Sequence, residues 1–427
     1  MHRVENGLSR RVSPGRGRRA EGDCNRKRRN VMNVKKVLMV LLVPLLVLVF
    51  STVDGAAQKQ RGFDDKEIRV GQWGPQSGPA AAWGSVARGS KLLFDLVNEE
   101  GGIHGRRIKY FIRDDQYNPS QTMAGVRDLV DRQDVFAFVG GVGTACGLAV
   151  QKYLRQNKII WIGVCTGARD FQNNPWLWQM WPDYFDEGAI LTKHAVENMG
   201  FKKIAYLYQN DDWGADAKAG VDAVLKKNNL ELLDAIPVEP TERDLSSQVS
   251  RLQATGAEAV IGIMAPTQAA IALRTAVSLG FTPQWLHSYN LCDFAMMSHI
   301  TDGLWAKEGV MTAAFTPPID ADTPLMNKYR DAAARLAPDE RWGIFYLAGV
   351  VVAEPLVWAL EEVGPNLSRE AVRDALNSVT NRQGVGPVLT WTEDSHMPPR
   401  KLQVWQCGPN AETIVVQDWI ENDLTRP

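Results

Sequence analysis

A glycine-rich loop behind a short apolar run offers a site for an anion. Val139–Gly147 has the sequence VGGVGTACG and opens a predicted helix. Glycines let backbone N–H groups approach a ligand, and a helix N-terminus stabilises negative charge. A dinucleotide is disfavoured, because the glycine spacing is imperfect and the next strand end, WIGVCTG, lacks an acidic residue for a ribose. A carboxylate fits the exposed amides and the Thr144 hydroxyl, and Val164–Ala168 repeats the arrangement.

Two tryptophans occupy matching places in front of predicted helices. Trp83 follows the strand-and-loop segment IRVGQWGPQSGPAAAWG, and Trp213 ends the loop QNDDW after a second strand. Such loops lie at the carboxyl edge of a parallel sheet, where ligands bind. Each tryptophan is therefore either a wall of a binding site or part of the core. The adjacent Asp211 and Asp212 favour a helix cap over a metal site.

Patterns for catalysis or metal binding are scarce. The histidines stand singly, and the sequence contains no HExxH, no C-x-x-C and no G-x-S-x-G. A triad assembled from distant residues stays open as an alternative, because sequence spacing does not limit it. We therefore expect a protein that is not an enzyme and holds no cofactor or metal.

Short β-branched runs alternate with amphipathic helices, which predicts parallel sheets covered by helices. The first predicted series has strands at 68–72, 108–113, 135–139 and 159–163, and helices at 85–100, 119–132 and 144–156. The second has strands at 204–208, 231–236 and 259–263, and helices at 186–199, 215–227, 245–255 and 267–279. Helices at 325–336, 342–363 and 369–378 and short strands near 388–391, 402–405 and 413–417 follow. Two series of this size favour two lobes.

The N-terminal part of the chain differs from the rest in charge. Residues 1–57 hold 12 basic and 4 acidic side chains, and the remaining 370 residues have a net charge of −9. Val37–Phe50 is an apolar run of 14 residues behind Lys35 and Lys36, and small residues follow up to Ala57. This pattern predicts a leader over 1–57 with a signal peptide at 32–57, an uncleaved anchor being the alternative. An acidic exported body disfavours nucleic acid as a partner.

Four cysteines follow the leader: Cys146, Cys165, Cys292 and Cys407. An oxidising compartment would allow three ways of pairing them. The sequence does not choose among these pairings.

The order of these motifs resembles the type I periplasmic binding proteins, specifically the branched-chain amino-acid-binding family of ABC importers. The matching blocks are IRVGQWGPQSGPAAAWG, GGIHGRRIKYFIRDDQYNPSQTM, VFAFVGGVGTACG, IIWIGVCTGA, IAYLYQNDDWGADA, AAIALRTAVSLGFTPQW and GPVLTW. The resemblance implies two doubly wound α/β lobes joined by a three-segment hinge, which close on a ligand. Lobe 1 would comprise 68–185 and 320–390, and lobe 2 would comprise 186–319 and 391–427.

The resemblance also implies a set of ligand-binding residues. They are Trp83, Thr144, Ala145, Cys165, Thr166, Gly167, Trp213, Ala265 and Tyr289. Thr144 stands where a serine hydroxyl binds the ligand carboxylate, while Trp213 and Ala265 each replace a pocket tyrosine of the family.

Tyr289 is the main departure from the family pattern. It falls where amino-acid binders have an acidic residue against the ligand ammonium, and a buried ammonium without such a partner is costly. The family disulfide is also missing, since Tyr117 and Gly143 stand at its positions; Cys146 and Cys165 offer a different bridge. We therefore expect a carboxylate with an aromatic or apolar body, or a neutral polar molecule, as the ligand.

Together these features predict an exported periplasmic protein that delivers a small organic solute to the membrane permease of an ABC importer. The alternatives are branched-chain amino-acid binding proper and a ligand-sensing module for a signalling partner.

Overall fold

The computed structural model describes residues 62–78 and 80–425. The predicted leader and signal peptide lie outside these residues. The first part of the described chain has strands β1 (Glu67–Gly74), β2 (Arg107–Asp114), β3 (Ala137–Val139), β4 (Ile160–Ile162) and β5 (Leu177–Trp178), and helices α1 (Ser85–Glu99), α2 (Pro119–Asp131) and α3 (Thr144–Gln156).

The second part begins with α4 (Tyr184–Lys193). Its strands are β6 (Ile204–Gln209), β7 (Ala235–Val238), β8 (Ala259–Ile263), β9 (Gln284–His287), β10 (Met311–Ala314), β11 (Lys401–Cys407) and β12 (Thr413–Glu421). Its helices are α5 (Asp212–Lys227), α6 (Ser246–Thr255), α7 (Pro266–Ser278), α8 (Phe294–Ile300) and α9 (Leu304–Lys307). Between β10 and β11 the chain forms α10 (Pro324–Leu336), α11 (Ile344–Val363) and α12 (Arg369–Asn377).

Two separate sheets form the two lobes. The five-stranded sheet has the order β2-β1-β3-β4-β5 and is parallel throughout. The seven-stranded sheet has the order β12-β11-β10-β9-β8-β6-β7, in which β11 runs antiparallel to both β10 and β12 and the other neighbouring strands are parallel. The lobe boundaries at 185/186, 319/320 and 390/391 stay predictions.

Several predicted elements differ from those observed. The strand predicted at 231–236 lies instead at Ala235–Val238, where it tolerates Pro237 because it is the edge strand of its sheet. The segment 388–391 forms only a single bridge, between Arg382 and Leu389. The helix predicted to run to Met199 changes from α-helical to π-helical geometry at His194.

Helix α11 is the core of the first lobe. It has the length and apolar composition of a membrane span, but 89% of its apolar stretch is buried inside the protein, which is typical of a core helix. It crosses α1 at Gly89 and Gly349, where a Cβ atom on Gly89 would lie 1.9 Å from the Tyr346 carbonyl oxygen. The two helix backbones can approach this closely only because both residues are glycine.

Asp293 joins the two lobes at the start of α8. Its carboxylate accepts hydrogen bonds from Arg341 Nη1 at 2.7 Å and Nη2 at 2.6 Å, and Asp293 is 1% exposed. The same group accepts from the backbone N–H of Ile344 at 3.4 Å, at the N-terminus of α11. The Arg341 guanidinium and the N-terminus of α11, both in the first lobe, therefore bind a single carboxylate of the second lobe.

The helix crossing gives a direct test. Gly89→Ala is expected to lower the free energy of unfolding by about 2–3 kcal/mol, because a backbone carbonyl cannot yield to the added methyl group. Gly125→Ala in α2 is the control, since its Cβ would meet only the Arg113 side chain at 3.2 Å. Equal stability of the two variants in urea unfolding would show that the helices do not pack this closely.

Candidate functional site

The carboxyl-end loops of both sheets enclose a cavity of about 290 Å³. Its walls are dominated by six aromatic side chains, and one charged side chain, Arg243, lines it among the described residues. The aromatic residues are Trp83, Tyr117, Trp181, Tyr184, Trp213 and Tyr289. The volume lies at the lower end of small-molecule sites, so the cavity suits a compact ligand.

The aromatic rings contact one another across the cleft. Trp83 packs on Phe345 of α11, with ring centroids 4.4 Å apart, and lies 6.1 Å from Trp181. Trp181 in turn lies 5.7 Å from Tyr289, edge to face. Since Trp83 follows β1 and Tyr289 follows β9, this chain of rings connects the loops of the two lobes.

Five of the predicted site residues line the cavity and four do not. Those that line it are Trp83, Cys165, Trp213, Ala265 and Tyr289. Thr144, Ala145, Thr166 and Gly167 lie on the same two loops of the first sheet but are absent from the wall. A ligand-binding role for all nine stays a prediction.

The hydroxyl groups of the two threonines lie within hydrogen-bond distance of each other. The hydroxyl oxygens of Thr144 and Thr166 are 2.6 Å apart, and Thr166 is fully buried. The Tyr184 hydroxyl donates to Thr166 Oγ1 at 3.1 Å from the N-terminus of α4. Tyr184 is thus the cavity residue that contacts the predicted carboxylate position, and the prediction missed it because the helix that it begins was expected to start only at residue 186.

Helix α3 begins at the cavity without a side-chain cap. Its N-cap, Gly143, has φ +99° and lines the wall. A Cβ atom on Gly143 would lie 2.7 Å from the Tyr117 ring, so glycine is required at this position. At the two positions where the resemblance implies a disulfide, the Tyr117 ring therefore lies over Gly143.

The alternative bridge between Cys146 and Cys165 is not formed. All four described cysteines are free and buried. The Cys165 thiol lies 3.7 Å from the Gly163 carbonyl oxygen, whereas the Cys146 thiol contacts Thr122 and Asp115 beside α2. The two thiols face different neighbours, which is why neighbouring loops do not lead to a bond.

Glu187 lies behind the cavity wall with no exposed surface. Its Oε1 accepts hydrogen bonds from the Ser288 hydroxyl at 2.7 Å and the Tyr289 backbone N–H at 2.8 Å, and its Oε2 lies 3.4 Å from Trp213 Nε1. No described Lys, Arg or His forms an ion pair with it. Burial therefore raises the pKa of Glu187 to about 7. In the sequence this residue is indistinguishable from the acidic residues that commonly begin a helix.

Metal binding finds no support in the described part of the chain, where no three His, Cys, Asp or Glu side chains come together. Asp211 caps α5 by accepting from the Gly214 N–H at 3.2 Å, as the sequence favoured.

The raised pKa of Glu187 sets a pH dependence of stability. The folded protein retains this proton between about pH 4.5 and 7, where the unfolded chain has lost it, so stability falls as the pH rises through this range. Glu187→Gln abolishes that loss, and its stability relative to the wild type is expected to rise by roughly 2–3 kcal/mol from pH 5 to 8. Urea unfolding at several pH values measures the difference; parallel curves would mean that Glu187 does not titrate there.

Comparison with known proteins identifies the family of this chain. The family model described as periplasmic binding protein matches residues 67–412. The leucine-specific-binding protein of Salmonella typhimurium is 24% identical over 363 residues, which cover 82% of this chain and 94% of that protein. The Leu/Ile/Val-binding protein homolog 3 of Brucella melitensis is 26% identical over 200 residues, 45% of this chain and 53% of that protein. The chain thus spans about half the length of some of the relatives that it matches.

Solved structures match the fold. A fatty acid ABC transporter substrate-binding protein from Thermomonospora curvata has a TM-score of 0.76 at 23% identity, with 86% of this chain and 95% of that chain covered. The predicted fold class is confirmed, and the homologues are solute-binding proteins, not enzymes. The chain belongs to the periplasmic binding protein family, in its two-lobed type I form.

Proposed function

We propose that this protein captures a small organic carboxylate with an aromatic or apolar body and delivers it to the membrane permease of an ABC importer. Capture occurs by closure of the two lobes after export to the periplasm, with signal-peptide cleavage near Ala57. The observation that carries the proposal is a cavity walled by six aromatic rings and one cationic side chain.

The aromatic walls favour an apolar body. Trp83 and Trp213 come from different lobes and both line the cavity, so closure brings two large flat rings against one ligand. Aromatic side chains bury a large apolar area and stack favourably on planar groups. Ala265 adds space where related proteins have a larger residue, as the resemblance implies.

The charges at the cavity favour an anion. Arg243 has no ion pair or hydrogen bond to another described residue, so its guanidinium is available to a ligand. The uncapped N-terminus of α3 adds partial positive charge on the opposite side of the cleft. Both features stabilise a carboxylate.

The phenol of Tyr289 disfavours an α-amino acid as the ligand. This residue is 2% exposed and presents a phenol to the cavity, while the nearby carboxylate of Glu187 lies behind the wall without any accessible surface. An ammonium at this end of the cavity would lose its water without gaining a direct carboxylate contact.

Two other functions remain distinct alternatives. Branched-chain amino-acid binding proper is favoured by the names of several relatives, such as the leucine-specific-binding protein. A ligand-sensing module would use the same cavity but act on a signalling partner, and a neighbouring histidine kinase gene would favour it over a permease and ATPase operon.

A thermal-shift screen tests the ligand class. Aromatic and aliphatic carboxylates are expected to raise the melting temperature, and leucine and valine are expected to leave it unchanged. A ligand at 100 times its Kd stabilises by about 2.7 kcal/mol, which such a screen resolves. Strong stabilisation by leucine would contradict the assignment and favour branched-chain amino-acid binding.

Trp83→Ala tests the aromatic wall. Calorimetric titration with the best carboxylate should show affinity more than tenfold weaker, because the variant loses one stacking face and its contact with Phe345. Trp419→Ala is the control, since Trp419 lies on β12, outside the cavity, and is 43% exposed. Unchanged affinity in Trp83→Ala would leave Trp83 as a packing residue.

A further inference from the structure

The buried carboxylate of Glu187 contacts two residues that line the cavity, one following β6 and one following β9. Trp213 and Tyr289 both line the cavity, and both direct an N–H group at Glu187. A ligand held between these two side chains is therefore separated from the buried Glu187 carboxylate by the thickness of a single residue.

No cationic side chain among the described residues pairs with Glu187, whose carboxylate is stabilised only by hydrogen bonds. The titratable groups that face it are Tyr206 on β6, Tyr289 on the loop after β9 and Cys292 beyond that loop. Burial raises the pKa of all three, so they stay neutral when Glu187 ionises. His287 on the neighbouring strand is also neutral, because burial lowers its pKa to about 4. The Arg400 guanidinium binds the adjacent Asp186 carboxylate and forms no ion pair with Glu187.

We propose that Glu187 couples ligand capture to proton uptake: binding of an organic anion between Trp213 and Tyr289 draws one proton from the solvent onto the Glu187 carboxylate. The inference rests on the proposed function, because the coupling takes its sign from the charge of the ligand.

The physical reason is repulsion in a site that excludes water. Two negative charges separated by one side chain in a low-dielectric interior raise each other's free energy, whereas an anion beside a neutral carboxylic acid meets no such cost. Reciprocity then requires that protonation strengthens anion binding by the same factor by which the anion favours protonation. Because burial alone already raises the pKa of Glu187 to about 7, a modest further rise changes its protonation at neutral pH.

Protonation also changes the hydrogen bonds that Glu187 accepts. Oε1 accepts two hydrogen bonds that stay compatible with a neutral acid, while a proton on Oε2 would face the Trp213 N–H and weaken that 3.4 Å contact. Glu187 is thus a positioning residue for Trp213, and the tryptophan gains freedom to settle on the ligand when the acid is neutral.

Calorimetric titration in buffers of different ionisation enthalpy measures the proton directly. The probe is the carboxylate that gives the largest thermal shift, titrated near pH 7.5. We expect uptake of about half a proton per ligand at this pH, where part of Glu187 is already protonated, and affinity roughly 5- to 10-fold weaker at pH 8.5 than at pH 5.5. Glu187→Gln should take up no proton and show an affinity nearly independent of pH.

Glu354→Gln is the matched control. Glu354 is also buried, accepts from the Tyr329 hydroxyl at 2.7 Å and the Val385 N–H at 2.8 Å, and has its pKa raised by burial to about 7, but it lies away from the cavity. This variant should keep the proton uptake of the wild type.

The outcomes separate the two proposals. Carboxylate binding without proton uptake, or uptake that persists in Glu187→Gln, would overturn the coupling and leave the function standing. Proton release on carboxylate binding would reverse the sign of the coupling and would likewise overturn it. No carboxylate binding in the thermal-shift screen would refute the proposed function itself.

Discussion

Parallel strands all end at the same edge of a sheet, and in this protein two such edges supply nearly every residue of the cavity. Each strand must pass the chain to a helix there, so its loop cannot avoid that edge. Trp83, Tyr117, Gly143 and Cys165 follow the first four strands, and Trp213, Thr241, Ala265 and Tyr289 follow β6 to β9. The cavity is therefore a consequence of topology, and only its chemistry depends on which side chains occupy the loops.

That constraint explains what could be predicted from the sequence. Trp83 and Trp213 could be assigned to strand-end loops because periodicity locates strands and helices, and both line the cavity. Trp181 and Tyr184 could not, because Trp181 lies in the irregular segment after β5 and Tyr184 begins α4 two residues before the predicted start of that helix. Thr144 and Thr166 were assigned to the correct loops, yet only packing determines that their hydroxyls bind each other. Glu187 was missed since an acid in a first helical turn is ordinary until its burial is known.

The two lobes are also held by contacts outside the cavity. Asp293 satisfies two groups of the first lobe with one carboxylate, the Arg341 guanidinium and the N-terminus of α11. Arg341 is half exposed, so water screens its side of the pair, while the buried Asp293 depends on it to offset desolvation. Asp293 and Tyr289 share one loop, which links this ion pair to the aromatic wall.

The four buried thiols make opening and unfolding of the protein measurable by chemical labelling. Alkylating reagents attack only the thiolate, and burial raises the pKa of Cys146 and Cys407 to about 11 and that of Cys165 and Cys292 further. A folded, closed molecule is thus nearly inert to such reagents. Cys165 lies on the cavity wall, so its labelling rate reports opening of the cleft, whereas labelling of Cys407 on β11, away from the cavity, reports unfolding of the second sheet.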